Sequence, residues 1–122
     1  MKSVLKDKTF EFARMVVHAY KNIISRHNEF VLSRQFLKSG TAPGALIREA
    51  EHAQSKLDFI SKLSIALKEA NECEYWVQLL KDGAYIDDKE SKMLVSANRD
   101  LRRFAFSKMQ LDAKEMIERL KE

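Results

Sequence analysis

At 122 residues the chain has the length of one domain, and 45% hydrophobic residues with only three Gly and one Pro favour long helices over loops. The single cysteine excludes an intrachain disulfide and is typical of a reducing cytoplasm, and no apolar run approaches the roughly 20 residues that a bilayer-spanning helix needs. The net charge of +4 permits a polyanionic partner without requiring one. We therefore expect a single cytoplasmic domain over residues 1–122 with no membrane partner.

A first helix is predicted from Asp7 to His27, behind a short tail over residues 1–6. Apolar residues at helical spacing form its predicted core stripe: Phe10, Ala13, Val16, Val17, Tyr20, Ile23 and Ile24. A second apolar stripe of Phe12, Met15 and Ala19 lies to one side. Because a helix in an isolated bundle needs only one apolar face, the extra stripe predicts that helix 1 is buried against another subunit.

Helix 2 is predicted to begin with Asn28 as its N-cap and to end near Ala53. The following residue, Glu29, places a negative charge at the positive end of the helix dipole. The segment Gly40–Gly44 contains the only proline, which removes one backbone donor and crowds the carbonyl four residues earlier. The sequence therefore predicts a kink or break near Ser39–Thr41.

Helix 3 is predicted to begin after Ser55, which forms a capping-box pattern with Asp58, and to end near Lys81 with Gly83 as its C-cap residue. Its apolar residues follow one another in steps of four and three, which is the seam of a helix packed at a shallow angle against other helices. The seam consists of Phe59, Leu63, Ala66, Ala70, Cys73, Val77 and Leu80. On this seam Cys73 is expected to be a buried, inert thiol.

Asp87 and Glu90 predict the start of helix 4, which runs to about Lys121. Its apolar stripe is predicted to contain Leu94, Ala97, Leu101, Phe104, Leu111, Ile117 and Leu120. No stretch shows the alternation of apolar and polar residues that is typical of strands. Four long helices joined by short loops predict an all-α fold, an antiparallel up-down-up-down four-helix bundle with helix 2 kinked near Gly40–Gly44.

The runs SRQFLKSGTAPGALIREA and SKLDFISKLSIALKEANECEYWVQLLKDGAYI carry a family resemblance. The matching positions are Leu37, Ser39, Gly40, Pro43, Ile47, Glu49, Ala50, Asp58, Phe59, Leu63, Ala66, Glu69, Leu79, Leu80 and Gly83 to Tyr85. The chain resembles the four-helix-bundle family encoded in 23S rRNA intervening sequences, also called the S23 ribosomal protein family. The resemblance implies a homopentamer with no established enzymatic role. A weaker, fold-level resemblance to the accessory protein of diversity-generating retroelements implies binding to nucleic acid and a reverse transcriptase.

Two glutamates are candidates for chemistry because apolar or small residues flank each of them. Glu49 and Glu69 are predicted to lie near a buried face, where a carboxylate needs hydrogen bonds or a charged partner. We favour a buried polar network that fixes helix register over catalysis. Glu49 and His52 also have the Glu-x-x-His spacing of di-iron bundles, but those sites need two such motifs. We therefore predict no metal, no cofactor and no enzymatic activity, with a metal site on Glu49, His52 and Glu69 as a remote alternative.

Basic residues of helix 4 are the strongest functional lead in the sequence. Arg99, Arg102, Arg103 and Lys108 lie within three turns, and the planar guanidinium group suits phosphate oxygens. Three cations of helix 1, Arg14, Lys21 and Arg26, were candidates to extend this patch. The interleaved acids Asp100, Asp112, Glu115 and Glu118 favour the opposing interpretation, a solvated face with local ion pairs or contacts that bridge subunits.

Two functions from different classes follow from these patterns. The first is a non-catalytic oligomeric module that binds RNA or DNA through its basic surface. The second is a structural or adaptor protein that binds another protein, for example a polymerase or reverse transcriptase, through the extra apolar surface of helix 1. No nucleophile elbow, phosphate loop or zinc spacing supports an enzymatic alternative.

Overall fold

The computed structural model describes residues 3–122 and contains four helices: α1 Val4–His27, α2 Leu32–Ala50, α3 Lys56–Asp82 and α4 Asp88–Leu120. Each helix packs against the next, and α4 returns to pack against α1, whereas the backbones of the diagonal pairs are farther apart. Short loops between packed neighbours make the helices antiparallel, so the predicted all-α up-down-up-down bundle is confirmed. The described part of the chain has no strand, and none of its helices is long and apolar enough to cross a bilayer.

The start of α1 lies earlier in the chain than predicted. The side chain of Ser3 accepts a hydrogen bond from the backbone N–H of Lys6 at 3.1 Å, so Ser3 is the N-cap and the helix begins at Val4. A serine oxygen satisfies one of the backbone donors that the first turn leaves free. The predicted tail is therefore largely helical; its first two residues lie outside the described part of the chain.

The prediction that Asn28 caps α2 is wrong. Asn28 ends α1 instead: it adopts the left-handed conformation with φ 53°, and its N–H donates to the carbonyl of Ile24. The cap of α2 is the carboxylate of Glu29, which accepts hydrogen bonds from the backbone N–H groups of Val31, Leu32 and Ser33 at 2.8–3.0 Å. Partial desolvation raises the pKa of Glu29, but these three bonds outweigh it and leave the pKa below its usual value.

The proline in α2 does not interrupt the helix, which is continuous from Leu32 to Ala50 with Pro43 inside it. The predicted break is therefore absent, and the predicted kink stays a prediction. Pro43 and Gly40 are both buried, and a Cβ atom built on Gly40 would lie 2.6 Å from a methyl group of Val16. The small residues thus let α1 pack closely against α2 at this point.

The predicted caps of α3 and α4 are confirmed. The side chain of Ser55 accepts a hydrogen bond from the backbone N–H of Asp58, and that of Asp87 from the N–H of Glu90. Gly83 is the C-cap of α3, and its N–H donates to the carbonyl of Leu79 at 2.9 Å. These hydrogen bonds fix where both helices begin and where α3 ends.

The core face of α1 differs from the predicted one. The buried residues are Phe12, Val16, Ala19 and Ile23, whereas Phe10 and Val17 are 52% and 42% exposed. The predicted core stripe is therefore confirmed only in part: Val16 and Ile23 are buried, but Phe12 and Ala19 of the predicted side stripe replace Phe10 and Val17 in the core. Composition could not choose between them because both stripes are apolar at helical spacing.

The seam of α3 is confirmed, because its residues from Leu63 to Leu80 are buried at each predicted position. The stripe of α4 is confirmed only in its first half. Leu94 and Leu101 are buried, but Phe104, Leu111, Ile117 and Leu120 are exposed. For Ile117 and Leu120 the reason is length: Lys56, the first residue of α3, already lies beside Asp112, so the turns of α4 after Asp112 extend past the start of α3.

Candidate nucleic-acid interface

Two of the four predicted binding residues on α4 are held by one carboxylate of α3. The guanidinium of Arg99 donates to both oxygens of Glu74 at 3.1 and 3.0 Å. Arg102 donates to Glu74 at 3.2 Å and to the side-chain oxygen of Asn71 at 2.9 Å. Forked contacts of this kind are strong and fix the orientation of the guanidinium. We call Glu74, Arg99 and Arg102 the arginine clamp, because they join α3 to α4.

The two guanidiniums of the arginine clamp share one carboxylate, which neutralises half of their charge. The side chain of Glu74 is only 13% exposed, so its ion pairs are less screened than those of a surface carboxylate. Hydrogen bonds from Arg99 hold the pKa of Glu74 below its usual value against a smaller opposing effect of desolvation, and the charge of Arg102 adds to the lowering. A phosphate group would have to displace Glu74 in order to bind these guanidiniums in the same bidentate way.

Arg103 and Lys108, the other two predicted residues, differ in how closely a carboxylate approaches them. Arg103 is 78% exposed, and its nearest carboxylate, Asp100, lies 3.8 Å away and is already bound to Lys8. Lys108 lies 3.3 Å from the buried carboxylate of Asp112, which Lys56 also approaches. Of the four, Arg103 is therefore the one whose charge is directed to solvent.

The structure brings Arg99, Arg102 and Arg103 together along an open groove between α3 and α4. The exposed ring of Phe106 borders this groove. Lys108 lines a different recess near the start of α1. The predicted site is thus a cluster of three arginines, two of which share the one carboxylate of Glu74, with one lysine apart from it.

The cations of α1 do not extend this cluster. Arg14 and Lys21 share the face of α1 that bears Phe10, and Arg48 of α2 lies over the ring of Phe10 at 5.6 Å. Arg26 lines a recess beside the α3–α4 loop. The first two cations therefore face the flank formed by α1 and α2.

That flank carries a second basic surface that sequence reasoning missed. On α1 the outward residues are Phe10, Arg14, Val17 and Lys21, and on α2 they are Arg34, Lys38, Thr41, Ala45 and Arg48. We call the five cations among them, Arg14, Lys21, Arg34, Lys38 and Arg48, the α1–α2 basic face. All five are exposed, and within residues 3–122 only Arg14 has a carboxylate within 4 Å, the exposed Glu11.

The signal for this face was present in the sequence as a spacing. Arg34, Lys38 and Arg48 lie at steps of four and ten, which are about one and three helical turns, and Glu49, 11 residues after Lys38, is the acidic residue nearest to this stripe at the end of α2. The stripe becomes a surface only when α1 and α2 pack side by side, which joins it to Arg14 and Lys21. The arginines of α4, by contrast, are close together in sequence and form a recognisable cluster before the chain folds.

The predicted buried network of Glu49 and Glu69 is wrong for this chain. Glu49 is exposed and Glu69 is only partly buried, and neither side chain forms a hydrogen bond or ion pair with the described residues. The buried acidic residue is Asp112. Across residues 3–122 no group of three or more His, Cys, Asp and Glu side chains is placed to hold a metal ion, so Glu49, His52 and Glu69 are not brought together.

Comparison with known families identifies the fold. The family described as 23S rRNA-intervening sequence protein matches residues 2–107, most of the chain. The chain belongs to this family. A crystal structure of a protein of unknown function from the S23 ribosomal protein family, from Bacteroides thetaiotaomicron VPI-5482, shares 47% identity and superposes with a TM-score of 0.85. The alignment covers 87% of this chain and 98% of that one. No curated protein matches the chain.

The match to the 23S rRNA-intervening sequence protein family covers the whole α1–α2 basic face but only three of the four predicted residues of α4. All five cations of the α1–α2 basic face and the arginines of α4 fall within residues 2–107. Lys108 and its partner Asp112 lie beyond the matched region, in the last turns of α4. The predicted residue Lys108 thus belongs to a part of α4 that the family description does not cover.

Proposed function

We propose that this protein is a non-catalytic, self-associating four-helix bundle that binds RNA through exposed cations. The observation that supports it best is positive charge that the protein's own carboxylates leave unpaired: Lys21, Arg34, Lys38 and Arg48 have no carboxylate within 4 Å in the described chain. Unpaired surface cations bind phosphates by releasing the counterions condensed on a nucleic acid. The family is named after an intervening sequence of 23S rRNA, which makes RNA the first polyanion to test.

The ligand is expected to bind on the outside of the bundle. The described core is filled by apolar side chains, and the grooves between helices are open and lined by charged residues. A surface of exposed Lys and Arg suits a phosphate backbone, whose charges repeat along its length, better than a small substrate that needs an enclosed apolar pocket.

A salt titration of RNA binding tests the proposal. We expect the protein to bind a fluorescein-labelled RNA hairpin in fluorescence anisotropy at about 50 mM salt, with affinity falling roughly 100-fold by 200 mM if about four phosphates are contacted. A neutral dextran of similar size serves as the control ligand. Absence of binding at about 50 mM salt, where phosphate contacts are strongest, would overturn the proposal.

A protein partner is the second candidate function, and the exposed apolar residues of α4 favour it. Met93 and Leu111 are 55% and 59% exposed, which is typical of a surface that another protein covers. Pull-down from lysate after nuclease treatment separates the two functions. A specific partner recovered without RNA supports the adaptor function, and an empty eluate counts against it.

A further inference from the structure

The α1–α2 basic face and the arginine clamp make different demands on a phosphate ligand. Arg99 and Arg102 already share Glu74, so each phosphate bound there would break existing ion pairs. Lys21 and Arg34 have no such partner among the described residues, so their charge is available without loss of a protein contact. With equal numbers of contacts, phosphates therefore gain more from the α1–α2 basic face.

The geometry of the face also suits an extended polyanion. Arg34 and Arg48 are 14 residues apart on one stripe of α2, which is about 21 Å along the helix axis. A second row with Arg14 and Lys21 runs beside it on α1, at the roughly 8–10 Å that separates packed helices. Two parallel rows of cations can follow a phosphate backbone over several nucleotides.

The composition of the face argues against a second copy of this chain as its occupant. Cores of protein interfaces are depleted in charged residues, whereas surfaces that bind nucleic acid are strongly positive. Only Phe10 and Val17 on this flank are large, exposed and apolar, and five cations surround them. In a two-fold symmetric contact the same face on two copies would bring like charges together, and in a head-to-tail contact the five cations would have to be desolvated.

We propose that the α1–α2 basic face holds the phosphate backbone of RNA, and that the arginine clamp of α4 serves to join α3 to α4. This inference rests on the proposed function and assigns it to a surface. Arg34 and Lys38 lie in the middle of the flank and take part in no ion pair or side-chain hydrogen bond within the described chain, so they can be changed without disturbing the fold.

Three variants of this chain test the assignment by anisotropy with the same RNA hairpin. Arg34→Gln with Lys38→Gln removes two charges from the α1–α2 basic face. Lys114→Gln with Lys121→Gln removes two exposed, unpaired charges near the end of α4 and changes the net charge equally. Arg103→Gln removes the most exposed of the three clustered arginines of α4 and leaves the arginine clamp intact. Circular dichroism melts confirm that each variant is folded.

We expect the Arg34→Gln, Lys38→Gln variant to lose about 10-fold or more in affinity at 100 mM salt, and the slope of log K against log salt to flatten by roughly 1.6, or about 0.8 per lost phosphate contact. The two other variants should lose less than about 3-fold. Equal losses in the two double variants would mean that only net charge matters, and a larger loss in Arg103→Gln would place the site on α4; either result overturns the assignment.

Two further outcomes separate this inference from the proposed function. If the unmodified protein does not bind RNA, the proposed function itself fails. If it binds but the Arg34→Gln, Lys38→Gln variant changes the particle mass in light scattering, the face lies between subunits and the assignment fails. Unchanged mass together with the selective loss of affinity supports the assignment.

Discussion

Glu74 accepts hydrogen bonds from two arginines of α4, and this single carboxylate changes what the cluster can do. The sequence shows Arg99, Arg102 and Arg103 as a basic patch. In the folded chain the carboxylate of Glu74, on α3, lies within hydrogen-bond distance of Arg99 and Arg102 on α4, which are 25 and 28 residues further along the chain. Their arrangement is that of an interhelical ion pair, which stabilises the α3–α4 contact and weakens the case for phosphate binding there.

We predict that Glu74→Gln lowers the free energy of unfolding by about 1–2 kcal/mol at pH 7, because charge-assisted hydrogen bonds to Arg99 and Arg102 are lost and Arg102 is partly buried. The folded pKa of Glu74 lies below its usual value of 4.5, so its stabilisation is present above pH 4.5 and is lost as the pH falls through the lower folded value. Urea titrations at pH 7 and pH 3 should show the difference shrinking.

Glu118→Gln is the matched control for this prediction. Glu118 is exposed and has no ion pair within residues 3–122, so the change should alter stability by less than about 0.5 kcal/mol. Equal destabilisation by the two variants, or a Glu74→Gln effect that persists unchanged at pH 3, would contradict the role of Glu74 in the arginine clamp.

At the scale of a single element, α2 contains two glycines, and only one of them is needed for close helix packing. A Cβ atom on Gly40 would lie 2.6 and 2.7 Å from the two methyl groups of Val16, which is fully buried and stiff because it branches at Cβ. A Cβ atom on Gly44 would lie 3.5 Å from the backbone of Thr9, an ordinary contact. Only the first glycine is required for the close approach of α1 and α2.

We predict that Gly40→Ala destabilises the protein by about 1–3 kcal/mol, because overpacking against Val16 exceeds the roughly 1 kcal/mol gained from the higher helix propensity of alanine. Gly44→Ala should instead leave stability unchanged or raise it by up to about 1 kcal/mol. Thermal and urea unfolding of the two variants measure this difference in sign. Stabilisation by Gly40→Ala would show that α1 and α2 are not in close contact at that position.

The ends of the helices were more predictable from the sequence than the face that each helix buries. Ser55, Asp87 and Gly83 mark helix ends by local hydrogen bonds, which depend on residues a few positions away and are therefore readable in the chain. Asn28 was misassigned because it can end one helix as well as begin the next. The core face of α1 was only partly predictable because two apolar stripes compete, and only the packing of α2 and α4 decides between them.

The candidate site was less predictable for the same reason. The pairing of Glu74 with Arg99 depends on the register between α3 and α4, and the α1–α2 basic face depends on two helices lying side by side. Neither relation is encoded in local spacing. Sequence patterns could therefore identify cations but not which of them remain unpaired.

At the scale of the whole molecule, the flank between α1 and α4 is the least closely packed of the four helix contacts. Met93, Phe104 and Leu111 lie on one side of α4 at this flank and are 55%, 43% and 59% exposed. Their spacing of 11 and seven residues corresponds to about three and two turns, so they form one apolar row, in which Asp100 and its ion pair with Lys8 lie between Met93 and Phe104. A row of this kind is a suitable surface for a second copy of the chain.

We predict that light scattering measures a particle larger than the 14.2 kDa chain and that Met93→Ser with Leu111→Ser reduces it towards the single-chain mass, because the contact loses apolar area. Val31→Ser with Leu57→Ser changes two exposed apolar residues near helix starts and should leave the mass unaltered. A 14.2 kDa particle from the unmodified protein, or dissociation by the second pair, would contradict self-association through the apolar row.

The buried position of Cys73 decides whether copies of the chain can be joined by a disulfide. It is fully enclosed in the core, and burial raises the pKa of its thiol to about 12, so almost no thiolate forms at neutral pH. Since disulfide formation needs an accessible thiolate, folded chains cannot be cross-linked through their one sulfhydryl group. Assemblies of this protein are therefore noncovalent, and dilution will separate them where reducing agents have no effect.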